Sequence, residues 1–270
     1  MLDSRKKEIR IKAEAFREKC KVSKYGIIDL FGECERCGYK LLRYPLGEHA
    51  DLGFSTKRDE DVVIFTNSCS RLAREIFTLA HEIGHIQMHF EQGVSFVENN
   101  LTLSGHTMNE KEQEANYFAA CLLMPKNEVD RFFDLEINDD KLLSAMDIAK
   151  LMSEFNVSFQ MVLNRLENIG KIDAKERLRL DNQKNELRIG NLLKSVGGNS
   201  RLNQASGEMA IPSEYIEYAI FNYNHNAIPM ETLKKILEYY SLSIEDISDR
   251  LVPKAEEEPD LDDLIGGLDD

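Results

Sequence analysis

No stretch of the 270-residue chain reaches 18 uninterrupted apolar residues, so no segment is expected to span a membrane. The N-terminus, MLDSRKKEIRIKAEAFREK, is charged throughout and lacks the apolar core of a signal peptide. Cysteine is scarce: Cys20, Cys34, Cys37, Cys69 and Cys121 are an odd set at irregular spacing. That excludes a disulfide framework and fits reduced thiols in a cytoplasmic protein. Cys34-x-x-Cys37 has no second Cys/His pair at knuckle spacing, so these two are expected to be loop thiols and not zinc ligands. Excess positive charge is also missing. The formal charge is −14, and the eight acids of residues 255–270 account for eight of those charges, leaving −6. An acidic body argues against broad nonspecific binding to nucleic acid. It leaves room for a local basic patch, as in residues 1–25 with nine Lys/Arg against four Asp/Glu.

What is present is a pattern of short strands followed by helices. Residues 4–24 read as a basic helix. YKLLRY (39–44), GFST (53–56) and VVIFT (62–66) are rich in β-formers and are separated by Gly, Pro, Asp and Asn. They predict a small antiparallel sheet. Leu72, Ile76, Leu79, Ile83 and Ile86 then follow the helical period and predict a helix over about 70–90. Residues 91–109 read as loop. Residues 110–124 read as helix, ended by Pro125. The remainder to about 252 is helical, which makes the chain α+β.

Two segments echo each other 85 positions apart: IAKLMSEFNVSFQMVLNRL (148–166) and LKKILEYYSLSIEDISDRL (233–251). Each predicts a helix, a short turn and a second helix, with Ser158 and Ser243 placed as N-caps. Helical hairpins used for packing are the commoner explanation. A DNA-reading helix-turn-helix is the sharper one, and the barely basic GKIDAKERLRL that follows the first copy gives it little support. The C-terminal stretch AEEEPDLDDLIGGLDD is expected to be a solvated, disordered acidic tail, although Leu261, Leu264, Ile265 and Leu268 would share one helical face.

The chemistry concentrates in TLAHEIGHIQMHF (78–90). Residues four apart share a helix face, so His81 and His85 can offer ring nitrogens to one ion. Glu82 lies one step round, placed to take a proton from water beside that ion. His89 sits about 12 Å along the axis from His81, too far for a shared ligand. It is expected beyond the ligands or facing a loop. A third ligand is expected on the next helix. Glu112 and Asn116 share a face there, so Glu112 can ligate while Asn116 accepts a ring N–H; Glu114 points elsewhere. Tyr117, His106 and His89 remain open as oxyanion partners. The strand at 62–66 could offer its edge to an extended substrate.

FTLAHEIGHIQMH followed by EQEANYFAACLLMP (112–125) resembles the ImmA/IrrE family of zinc metallopeptidases, and residues 155–172 resemble the helical element after the family's core. The resemblance covers roughly residues 10–172. It implies a zincin-like core, Zn²⁺ held by His81, His85 and Glu112, and Glu82 as catalytic base. It also implies action on a repressor-type DNA-binding protein as an anti-repressor or stress regulator. The implied organisation is a peptidase domain over 1–172 with a helix-turn-helix-like end, a helical domain over 173–252 and the tail over 253–270. A regulator of zincin fold that binds DNA or a repressor without cutting is the alternative. The helices of 173–252 are expected to select the substrate, with Tyr215, Tyr218, Phe221, Tyr223, Tyr239 and Tyr240 as interface candidates.

Overall fold

The computed structural model describes residues 1–47, 49–58, 61–90, 110–137, 142–212 and 214–252. The loop at 91–109, with His106, and the acidic tail from residue 253 lie outside the described residues. The chain forms two compact units, 1–210 and 211–270.

In the first unit, α1 (Asp3–Arg17) buries Ile9, Ala13 and Phe16 and packs on the helix that carries Glu112. It is shorter than the expected 4–24. The chain turns back at Gly26, whose α-carbon has no room for a side chain: a Cβ there would lie 1.9 Å from the Glu154 carbonyl oxygen. Next, α2 (Leu30–Arg36) is N-capped by Asp29, whose side chain accepts from the Phe31 N–H. Cys34 lies within α2, buried in the core and not in a loop, and burial pushes its thiol pKa up.

The sheet comprises β1 (Lys40–Tyr44), β2 (Gly53–Arg58) and β3 (Asp61–Asn67), in the order β1-β3-β2. It is mixed, not wholly antiparallel. β2 and β3 pair antiparallel, while β1 and β3 run parallel because the chain reverses twice between them. β3 is therefore the central strand, with Val62, Ile64 and Phe65 buried, and it has no edge to offer. β2 is an edge strand among the described residues, since its only described ladder is with β3.

α3 (Leu72–His89) and α4 (Glu110–Leu123) form the most extensively packed helix pair. Gly84 makes their close approach possible: a Cβ there would come within 3.2 Å of Ala115 Cα and of Phe118 Cβ and Cδ1. α5 (Lys126–Glu136) follows Pro125. α6 (Ala145–Phe155) starts at a capping box of Ser144 and Asp147 and ends at Asn156, a left-handed residue (φ 55°). α7 (Phe159–Asn168) is N-capped by Ser158, which accepts from the Met161 N–H.

The α6–α7 hairpin serves the core. Apart from the exposed Met146, its apolar residues are buried, and the exposed positions of α7 (Gln160, Asn164, Asn168) carry no cation. The first unit continues past the expected boundary at 172. α8 (Ala174–Leu187), α9 (Ile189–Ser195) and a 3-10 turn at Ser200–Asn203 bury Leu180, Leu192, Leu193 and Leu202 against it. The backbone of 204–210 is then bonded to the core. The Leu72 N–H donates to Gln204 O, and Arg43 and Ala210 exchange bonds of 2.8 and 3.0 Å.

The second unit has α10 (Glu214–Asn224) and α11 (Met230–Tyr239), with a core of Ala219, Ile220, Tyr223, Leu233, Leu237 and Ile247. The second echo differs from the first. Glu245–Arg250 is a 3-10 turn, and Ser243 Oγ donates to Asp246 and does not cap a helix. Only Ile247 of that turn is buried, too little apolar surface to hold an α-helix. Tyr215, Tyr218, Phe221 and Tyr239 are exposed, Tyr223 is core, and the Tyr240 hydroxyl donates to Pro212 O. No described helix is long and apolar enough to cross a membrane.

Candidate metal centre

α3 turns its HEIGH stretch toward α4, and every residue from His81 to His85 is buried. His81 Nε2 and His85 Nε2 lie 2.9 Å apart. One Glu112 oxygen lies 3.2 Å from His81 Nε2 and the other 3.2 Å from His85 Nε2. Donor atoms about 2.05 Å from a tetrahedral zinc would be about 3.3 Å from one another, so the three groups match one small ion in both type and spacing. Among the described residues this is the only group of three or more His, Cys, Asp or Glu side chains that converges in this way.

The ring nitrogens facing away from the cluster are also engaged. His81 Nδ1 lies 3.0 Å from Asn116 Oδ1. The amide oxygen only accepts, so His81 carries its proton on Nδ1 and keeps the Nε2 lone pair for the cluster. His85 Nδ1 lies 3.0 Å from His89 Nδ1, and His89 Nε2 lies 3.0 Å from Glu114 Oε2. With Nε2 of His85 turned to the cluster, its Nδ1–H donates to His89, whose Nε2–H donates to Glu114. Arg5 of α1 then holds both Glu114 oxygens, at 2.7 and 2.6 Å. His89 is thus one hydrogen bond behind His85, and Glu114 is one further back.

Charge follows this wiring. When protons and not a metal occupy their Nε2 atoms, hydrogen bonds from His81 and His85 hold the Glu112 carboxyl far below the usual carboxylate range. The Arg5 guanidinium, opposed by burial and helped by His89, brings Glu114 down to about 2. Burial lowers the His81 pKa, but Glu112 and Glu82 outweigh it and the net shift is upward. Burial lowers His89, which favours the neutral ring the relay needs.

Glu82 stands beside the cluster and outside its donor set. It is 4% exposed, and burial pushes its pKa up against the pull of His81 and Ser55. Ser55 Oγ of β2 donates to Glu82 Oε2 at 2.7 Å. β2 can come this close because of Gly53, where a Cβ would meet Thr78 Cγ2 at 2.5 Å and Phe65 O at 2.8 Å. Tyr117, half-buried, lines an open groove next to Asn116 and is outside the donor cluster.

Sequence reasoning missed Ser55 and Arg5. Each comes from an element distant in sequence, and nothing local marks either one. Two turns before Glu82 on α3, Glu75 is fully buried, paired with Arg43 and bonded to Thr66 and Ser206. That network ties α3 to β1, β3 and the 204–210 segment.

The profile of the IrrE N-terminal-like domain, peptidase family M78, matches residues 34–167, which include all of β1–β3, α3 and α4. An uncharacterized immunity region protein 2 of Bacillus phage phi105 is 30% identical over 94 residues. The match covers 35% of this chain and 58% of the phage protein.

Proposed function

We propose that this chain, which belongs through residues 34–167 to the IrrE N-terminal-like family, is a zinc-dependent endopeptidase that cuts a repressor-type protein. The observation that carries the reading is the convergence of His81, His85 and Glu112 beside a buried carboxylate, Glu82, that the donor set does not use. Zinc held by those three residues would supply Lewis acidity, lowering the pKa of water in the site and polarising a peptide carbonyl.

The chain's own groups do the rest. Glu82 takes the proton of the attacking water and passes it to the leaving amine. Burial raises its pKa toward the range in which a base both accepts and returns a proton. Ser55 fixes Oε2 and so orients the carboxylate. Asn116 and His89 set the ring tautomers of His81 and His85. β2 supplies the edge beside Glu82 along which an extended substrate can pair. The phage relative's description as an immunity region protein supports a regulatory target of the repressor kind.

The test is to incubate the zinc-loaded chain with helix-turn-helix repressors, beginning with any encoded beside its gene, and to map fragments by mass spectrometry. Cutting at one site by the wild type, and none by Glu82→Gln, is the expected result. An intact repressor, or equal cutting by both proteins, would overturn the reading.

A further inference from the structure

An open groove of about 1170 Å³ lies alongside the metal centre within the first unit. Arg71, just before α3, and Arg74 and Phe77 of α3 form one wall, and Asn116 and Tyr117 of α4 adjoin it. Asn116 belongs to both places, because it lines the groove and accepts from His81. Phe159 and Met161 contribute apolar surface from α7.

The groove's charge is anomalous for this protein. The chain has 48 acidic residues against 34 basic ones, yet among the described residues no Asp or Glu lines the groove, while Arg71, Arg74, Arg165 and Lys184 do. Lys184 is matched by Asp181 at 2.7 Å. The buried Arg165 guanidinium bonds to neutral partners, Met124 O at 2.8 Å and Cys121 Sγ at 3.7 Å. Arg71 and Arg74 are exposed and form no ion pair among the described residues. Among the described residues, the cleft thus holds guanidiniums and no carboxylate.

The spacing relates those cations to the metal centre. Arg74 and His81 are seven apart, two helical turns, so they share a face about 10 Å apart along the axis. Arg71 lies about 15 Å from His81 by the same rise. Extended polypeptide advances about 3.3 Å per residue, so these distances correspond to about three and about five residues of substrate. We propose that the groove is a specificity subsite for polypeptide segments carrying acidic side chains three to five positions from the bond to be cut, with apolar side chains seated between them. This rests on the endopeptidase reading. Nucleic acid fits less well, because two unpaired guanidiniums on a chain of charge −14 neutralise few phosphates.

The test uses the full zinc-loaded chain carrying Glu82→Gln, so that ligands are held and not turned over. Short fluorescein-labelled peptides alternating Leu with Asp/Glu, with Asn/Gln or with Lys/Arg, together with a thymidine oligonucleotide, are titrated by anisotropy. The acidic peptide is expected to bind about tenfold tighter than the neutral one, with the margin shrinking as salt rises. Arg71→Glu/Arg74→Glu is expected to remove or invert that preference with zinc content unchanged, and Arg71→Ala/Arg74→Ala to reduce it. Equal binding of acidic and neutral peptides, an unaltered preference in the charge-reversed variant, or tightest binding of the oligonucleotide would each overturn the proposal. The wild-type chain is digested in parallel with a random peptide library. Cuts without acidic enrichment three to five positions away sink the groove and leave the peptidase; selective acidic binding without any cut sinks the peptidase and leaves the groove as an acidic-peptide site.

Discussion

Replacing His89 by alanine tests the chain of hydrogen bonds behind the metal centre. The change removes the acceptor of the His85 Nδ1–H and leaves His81, His85 and Glu112 in place. The His85 side chain is 7% exposed, so water reaches that N–H poorly. An unsatisfied buried donor costs about 1–3 kcal/mol, a factor of about 5 to 150 in an equilibrium constant. Loss of an outer-shell partner ordinarily weakens metal binding by about 10–100-fold, which agrees. The expected zinc Kd is therefore at least about tenfold higher, measured by competition with a chromogenic chelator. A tenfold loss removes about 1.4 kcal/mol of zinc-dependent stabilisation at saturating metal, or about 3–5 °C of the zinc-induced rise in Tm for a domain of this size. Glu114→Ala should act in the same direction. Because the bonds run in series, the double variant should lose little more than His89→Ala alone. Gln87→Ala is the control, since Gln87 faces Tyr39 and not the cluster. A Kd within about twofold of wild type for His89→Ala, with the zinc-induced Tm rise intact, would refute the relay.

Ser55→Ala should leave zinc content unchanged and lower kcat about tenfold or more, the loss expected when a hydrogen bond to a charged group is removed; an unchanged kcat would dismiss Ser55 as the group that positions Glu82. Gly53→Ala should cost about 1–3 kcal/mol in chemical denaturation, because its Cβ would meet Thr78 and the Phe65 carbonyl; a neutral result would mean that β2 does not press on α3. Glu75→Ala should cost roughly 3–5 kcal/mol by stranding the largely buried Arg43, and a loss below about 1 kcal/mol would contradict the buried pairing. A chain ending at Ala210 should bind zinc like the full protein, whereas one ending at 172 should not fold. The shorter chain loses four buried leucines, worth about 6–12 kcal/mol against a usual total of about 5–15, and a folded, zinc-binding 1–172 would refute the longer unit.

The parts of this structure legible in sequence are those encoded by local period. α3 and α4 are long and amphipathic, and their spacing alone puts His81 beside His85 and Glu112 beside Asn116. Ser158 and Pro125 mark ends because capping and ring closure act within a few residues. What escaped depends on partners far along the chain. The parallel pairing of β1 with β3 follows from two reversals and not from any strand's own residues. Arg5 and Glu114 are 109 positions apart. The boundary at 172 looked natural because the family resemblance fades there. The leucines of α8 and α9 look the same in sequence whether they close their own core or another's, and here they close the first unit's.

The burial pattern bears on whether the chain cuts or only binds. His81, Glu82, His85 and Glu112 are each 7% exposed or less. Taking such groups out of water costs stability, and packed apolar residues in their place are often neutral or stabilising by about 1–4 kcal/mol. Holding an ion accounts for three of the four. It does not account for Glu82, whose charged form burial disfavours and whose partner is a serine on another element. A binding module gains nothing from a fourth buried group, a second carboxylate, outside the donor set. A hydrolase needs one, at the edge of the cluster and with its pKa raised, to take a proton from water and return it. The placement of Glu82 therefore favours peptide hydrolysis over binding alone more strongly than the three donor residues do.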